Sequence, residues 1–167
     1  MPPRPCVIVN GPPASGKSTL AAGLAAATGW PLLEKDLFKE TLFDSLGAGD
    51  REWSRRLGRA SIALMYRVAA VLPVVILDSV FTPELARRDL ARPVLEVFCR
   101  CPPALAERRF RERQASRHPG HVSGGVDFAA WADTAPVGLG PVLEVDTSEP
   151  VGIGAVVAWV RSAAGEA

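Results

Sequence analysis

The chain reads as an α/β domain, a parallel sheet covered by helices on both faces. Apolar runs of strand length alternate with longer stretches of helical period, the pattern of βαβ units. The first run, Cys6-Val7-Ile8-Val9-Asn10, passes directly into a glycine- and proline-rich loop and then into an alanine-rich helical stretch, the order such a unit requires. At 167 residues and 48% hydrophobic content, the chain can bury one substantial core but is too short for two ordinary domains and a linker. Residues 1–167 are therefore expected to form a single domain.

Strands are expected at 6–10, 31–34, 74–78, 94–99 and 142–146, and helices near 17–28, 37–46, 52–71, 83–91, 102–116 and 151–163. Gly29 is placed to stop the first helix. Thr82 is a good N-cap, and Pro83 and Pro102 stand where first-turn prolines are tolerated. Residues 117–141 carry five glycines and both histidines, and are expected to be mobile. The apolar stretch Val151 to Val160 follows the last strand and reads as a core-packing helix rather than a membrane element.

Nineteen basic residues against eighteen acidic give a net charge of +1, which argues against a protein that tracks along nucleic acid without excluding a short oligonucleotide end. No apolar run reaches membrane-spanning length, and the start of the sequence lacks a signal-peptide layout. A soluble, cytoplasmic protein with no obligate protein partner is expected. The three cysteines, Cys6, Cys99 and Cys101, suit reduced thiols, and Cys99-Arg100-Cys101 lacks the further ligands a metal site needs.

The most specific motif is Gly11-Pro12-Pro13-Ala14-Ser15-Gly16-Lys17-Ser18, an unbroken G-x-x-x-x-G-K-S. In this pattern backbone N–H groups turn inward on phosphate oxygens, the lysine reaches the β and γ phosphates, and the serine hydroxyl can ligate Mg²⁺. Gly11, Ala14, Ser15, Gly16, Lys17, Ser18 and Thr19 are thus the candidate nucleotide-binding residues. The helix that follows turns its positive dipole end toward the anion.

Phosphoryl transfer further needs a metal site, positive charge over the transferred group, and a residue to orient or deprotonate the acceptor. Val74-Val75-Ile76-Leu77-Asp78 is a buried strand ending in an acid, which places Asp78 at the carboxyl edge of the sheet. There it could hold Mg²⁺ with Ser18, or merely cap a turn. Leu32-Leu33-Glu34-Lys35-Asp36 reads as a short strand ending in a second acid. Asp36 is either a general base for an attacking hydroxyl or the N-cap of the next helix, with Glu40 completing a near capping box; the two readings are compatible. Five arginines fall within residues 108–117. Arg109 and Arg113, four apart, share a helix face and could lean over the phosphates, although Glu107 and Glu112 could equally make this a solvated face. His118 and His121 read as lid or substrate contacts. The helix bearing Trp53, Arg55, Arg56, Arg59 and Tyr66 either lines an acceptor pocket or simply packs.

Taken together, the phosphate loop with Thr19, Lys35-Asp36-x-x-Lys39-Glu40-x-Leu42-x-Asp44, the strand ending at Asp78, Cys101-Pro102-Pro103 and the arginine-rich helix resemble the small P-loop kinases grouped under the AAA domain. This group is similar to chloramphenicol phosphotransferase, zeta toxin, gluconate kinase and the kinase domain of polynucleotide kinase. The resemblance spans nearly the whole chain. It implies five parallel strands in the order 2-3-1-4-5, a need for ATP and Mg²⁺, an arginine-bearing lid at about 108–125, and a general-base role for Asp36. The chain departs from zeta toxins in its shorter length and from gluconate kinase in lacking its substrate signature. Ser79 follows Asp78 where large AAA motors carry a catalytic glutamate. The resulting expectation is an ATP-dependent kinase acting on a hydroxyl of a small molecule, with Asp36, Lys17, Arg109 and Arg113 as catalytic residues. A polynucleotide-end kinase and a nucleotide-binding regulatory ATPase module are the alternatives.

Overall fold

The computed structural model describes residues 5–121 and 126–165; positions 122–125 of the expected lid lie outside the described residues. Five strands, β1 (Cys6–Asn10), β2 (Leu32–Glu34), β3 (Val75–Asp78), β4 (Val94–Arg100) and β5 (Val142–Asp146), form one sheet in the order β2-β3-β1-β4-β5 with every pairing parallel. This is the three-layer P-loop arrangement that the sequence resemblance implied.

Burial on both faces explains why β1 reads as an unbroken apolar run. Cys6 and Ile8 point into a core shared with Met65, Tyr66, Leu77 and Phe81. Val7 and Val9 point into the opposite core, with Leu20, Leu24, Val97, Val156 and Val160. Each aliphatic side chain fully withdrawn from water contributes about 1.5–3 kcal/mol, so the central strands fix the sheet and the edges follow. Helices α1 (Lys17–Thr28) and α6 (Ile153–Ala163) supply the second core. The first core is covered by α3 (Arg51–Ala69) and α4 (Pro83–Asp89), with Phe38 of α2 (Lys35–Leu46) packed against it. The terminal apolar stretch is therefore a packing helix, as expected, and no described helix is long and apolar enough to cross a membrane.

Local signals set the helix ends with some differences from expectation. Gly29 ends α1 by donating its N–H to the Ala25 carbonyl at 2.8 Å, and the Asp50 carboxylate caps α3 by accepting from the Trp53 N–H at 2.8 Å. Thr82 precedes Pro83 at the start of α4, but its side chain makes no capping hydrogen bond. Helix α5 (Pro103–Glu112) stops before the expected end and gives way to a 3-10 turn, Gln114–Ser116. The main correction concerns β2. It ends at Glu34, so Asp36 is neither the end of a strand nor an N-cap and lies instead in the first turn of α2.

Strand register then gathers the site. Glu34 stands beside Asp78, and Asp78 beside Val9. Three chain segments, Lys35-Asp36, Asp78-Ser79 and the loop after Asn10, therefore leave the same carboxyl edge of the sheet side by side.

Candidate active site

The loop between β1 and α1 is built to bring backbone close to an anion. Gly11 has φ 144°, and a Cβ there would sit 2.6 Å from the Cys99 carbonyl oxygen, so the loop crosses β4 only because position 11 lacks a side chain. Ala14 is a non-glycine residue at positive φ, 57°, the type of left-handed step that aims successive N–H groups into one concavity. The Thr147 hydroxyl lies 2.6 Å from the Ser15 carbonyl and 2.8 Å from that of Arg100, tying the loop to the end of β5. The Ser15 hydroxyl is buried with no hydrogen-bond partner among the described residues.

Lys17 is only 8% exposed and its Nζ donates to the Pro12 carbonyl at 2.7 Å. Burial pushes its pKa down, while the carboxylates of Asp78 and Asp36 favour the charged form. Asp78 is 6% exposed. Burial raises its pKa and the Asp36 charge adds to that, while a hydrogen bond from Ser18 and the Lys17 ammonium act in the opposite direction. Asp36 pairs with Lys35 at 2.7 Å, with its side chain 64% exposed. Burial by the surrounding walls works against its ionised form, but Lys35, His121 and Lys39 outweigh it and hold the carboxyl below the ordinary aspartate range.

Two cavities flank the loop. One, of about 560 Å³, lies over Gly16, Thr19 and Leu20 and is closed by the β5–α6 connection, Thr147 to Val151. The other, of about 820 Å³, is lined by Lys17, Ser18 and Asp78 together with Asp36, Lys39 and Ser54. Both volumes are of the size that takes a small ligand. Ala14 and Arg113 line both cavities, so Arg113 stands at the junction between them.

Arg109 and Arg113 do share a face, but they part company in space. Arg109 is fastened to the β5–α6 connection, donating to the Thr147 carbonyl at 2.9 Å, and lines only the first cavity. Arg113 instead donates its Nε–H to the Arg109 carbonyl at 3.4 Å. Helix α3 contributes Ser54 and Ile62 to the second cavity. Of the residues singled out on it by sequence, Tyr66 is core and Arg59 pairs with Glu52 on the surface, while Trp53 and Arg56 line a shallow groove elsewhere.

The histidines join the lid to α2. His118 Nε2 lies 3.0 Å from the Asp44 carboxylate and His121 Nε2 lies 2.9 Å from that of Glu40. His118 also stacks on Phe43 at 5.6 Å between ring centroids. Gly120 passes so close to that ring that a Cβ would fall 2.5 Å from it. The region expected to be mobile is thus anchored in its described parts, with Phe128 and Val137 buried. Sequence reasoning missed this docking and the parts of Lys39, Ser54 and Thr147. The available signal was two acids four apart on α2 matching two histidines three apart in the lid.

The geometry can now be set beside known proteins. A crystal structure of a provisionally named kinase from Chloroflexus aurantiacus J-10-fl superposes with a TM-score of 0.89 at 35% identity, covering 96% of this chain and 98% of that one. A gluconokinase from Sinorhizobium meliloti 1021 follows at TM-score 0.60 and 18% identity, over 99% and 94% of the two chains. Shikimate kinase from Acinetobacter baumannii in complex with shikimate gives 0.58 and 13%, over 95% and 90%. At those lower identities the likeness is one of fold. No curated protein matches the chain. A model of the AAA domain family matches residues 6–133, and with that match over a P-loop fold of the small-kinase type this chain belongs to the AAA domain family.

Proposed function

We propose that the chain is an ATP-dependent kinase that moves the γ-phosphoryl group to a hydroxyl of a small molecule. The observation that carries this reading is the shared cleft. Asp36 opens onto the same cavity of about 820 Å³ as Lys17, Ser18 and Asp78, so an acceptor beside Asp36 faces the end of a phosphate chain held by the loop. The nucleoside occupies the neighbouring cavity above Gly16 and Thr19, and Arg113 stands where the two ligands meet.

Each role follows from position. Gly11, Ala14, Ser15 and Gly16 present backbone N–H groups to the phosphates, and Lys17 exchanges the Pro12 carbonyl for a phosphate oxygen. The acceptor hydroxyl donates a hydrogen bond to Asp36 and its oxygen attacks the γ-phosphorus in line. The bond from that phosphorus to the β–γ bridging oxygen breaks, and the hydroxyl proton passes to the Asp36 carboxylate. Arg113 offsets charge on the transferred group, and Arg109 braces the nucleoside cavity through the Thr147 carbonyl.

Mg²⁺ fits the residues present. Ser18 and Asp78 adjoin at the loop and would hold the ion, and such a site needs few protein donors because phosphates and waters would supply the other ligands. Bound there, it would neutralise phosphate charge.

The test is a transfer screen with γ-labelled ATP and Mg²⁺ against a metabolite extract, hydroxylated antibiotics and sugars, and a 5′-hydroxyl oligonucleotide. Label on one small molecule, lost in Asp36→Asn, is the expected result. Label on the oligonucleotide alone, or release only as free phosphate with Asp36→Asn unchanged, would replace this reading with an end kinase or a regulatory ATPase.

A further inference from the structure

The acceptor side of the cleft is unevenly charged. Helix α2 presents three carboxylates toward the lid, and each already has a cation or a histidine: Asp36 has Lys35 at 2.7 Å, Glu40 has His121 at 2.9 Å, and Asp44 has His118 at 3.0 Å. Lys39 Nζ donates to the neutral Ser54 hydroxyl at 2.9 Å and lies 5.3 Å from the centre of the Phe43 ring. The Arg117 guanidinium lies over Phe110 at 4.7 Å. Neither makes an ion pair with a described carboxylate. Burial, Lys35 and Arg117 disfavour a charged Lys39, while the nearby Asp36 carboxylate, already paired with Lys35, favours it.

Lys39 is half-buried and Arg117 exposed, and a half-buried ammonium without a hydrogen-bonded counter-ion is a cost that folded chains ordinarily avoid by pairing. Here three carboxylates lie within the same helix and lid, and all are committed elsewhere. Both cations line the second cavity and neither lines the nucleoside cavity. The nucleotide already has Lys17 and Arg113. The charge left over therefore faces the acceptor.

Resting on the kinase reading above, we infer that the acceptor carries a compact anionic group, a carboxylate or a phosphate, held by Lys39 and Arg117 with the Ser54 hydroxyl beside them. Arg117 supplies a planar pair of donors and Lys39 a point charge, the usual complement of such a group. The anion anchors the acceptor at the lid end of the cleft and leaves its hydroxyl free to reach Asp36. The lid carries Arg117 between the helix α5 and His118, so the His118 and His121 contacts to α2 also hold the anion site closed.

Two measurements test this independently. In the first, the protein saturated with Mg²⁺ and ADP is titrated with inorganic sulfate by calorimetry. One sulfate site is expected, weakened about 10- to 100-fold in Lys39→Gln and in Arg117→Gln, and retained within about threefold in Lys39→Arg, which keeps the charge. A sulfate affinity that both substitutions leave unchanged places the anion at the γ-phosphate position and overturns the inference. In the second, γ-labelled ATP is offered matched acceptors: sugar and sugar acid, polyol and polyol phosphate, nucleoside and nucleoside monophosphate. Label is expected on charged members, the pairs distinguishing carboxylate from phosphate, and both Gln variants should raise acceptor KM more than they lower kcat. Label on a neutral member, with KM unmoved in both variants, overturns the anionic acceptor and leaves the kinase reading standing. If no acceptor takes label, the kinase reading falls, and the sulfate titration still decides whether the anion site exists.

Discussion

Replacing Asp36 by Asn removes one charge and one proton acceptor while preserving shape. Its structural cost is small. The side chain is 64% exposed and its only ion pair among the described residues is with Lys35, and pairs this open are worth about 0–1 kcal/mol. The amide oxygen can still accept from Lys35. Nucleotide binding should hold within about threefold, because Asp78, the larger carboxylate influence on Lys17, is untouched. The loss should fall on the chemical step. A general base contributes about 10²- to 10⁴-fold, which is about 3–5 kcal/mol of barrier at about 1.4 kcal/mol per tenfold. The assay is the initial rate of label transfer to the acceptor from the screen, paired with fluorescent-ADP titration and thermal melting of both proteins. Full transfer by Asp36→Asn would refute the assignment of the base. A fall in ADP affinity as large as the fall in kcat would instead make Asp36 a binding residue.

Three further outcomes follow from the geometry. Glu96 is fully buried in β4 and accepts from Asn10 Nδ2 and from the N–H groups of Val137 and Gly138, each at 2.9 Å. Glu96→Ala strands all three donors at about 1–3 kcal/mol each, so a loss of about 3 kcal/mol or more and a melting point lower by at least about 6 °C are expected for a chain of this size; Glu96→Gln should lose less. Arg109→Ala frees the β5–α6 connection and should weaken ADP binding about tenfold or more, read by fluorescence titration, with kcat for transfer changing less than in Arg113→Ala. His121 is held below the ordinary histidine pKa chiefly by burial, with the Glu40 hydrogen bond opposing. The folded chain therefore takes up this proton less readily than the unfolded one, and the stability involved is complete above about pH 6.5 and is lost as the pH falls from there toward the folded value. Melting points measured from pH 7 to pH 5 should fall less steeply in His121→Gln, and parallel curves for the two proteins would exclude the effect.

The phosphate loop was legible because its chemistry is local. Eight consecutive residues carry both the glycines that permit the backbone path and the side chains that meet phosphate, and the strand before and helix after are equally contiguous. The strands were legible for a related reason, since a parallel strand buried on both faces must be apolar at nearly every position, as in β1 and β3. Asp36 was harder to place. The residues after Leu33 have no capping side chain to mark the boundary, and the helix took up Lys35 and Asp36 that the sequence read as strand. Arg109 and Arg113 could be put on one face by counting, but not separated by partner.

What the sequence determined by itself was therefore the phosphate cradle, the layered α/β architecture and the set of acids and arginines from which a site is built. The tertiary structure decided how that set divides. It committed Glu40 and Asp44 to the lid histidines 81 and 74 residues away, fastened Arg109 to a carbonyl 38 residues on, and left Lys39 and Arg117 lining the cleft with no ion pair to a described carboxylate. Which charge meets which depends on distances of a few ångströms between segments far apart in the chain, and those distances are set by the packing of the sheet and its helices rather than by any run of adjacent residues.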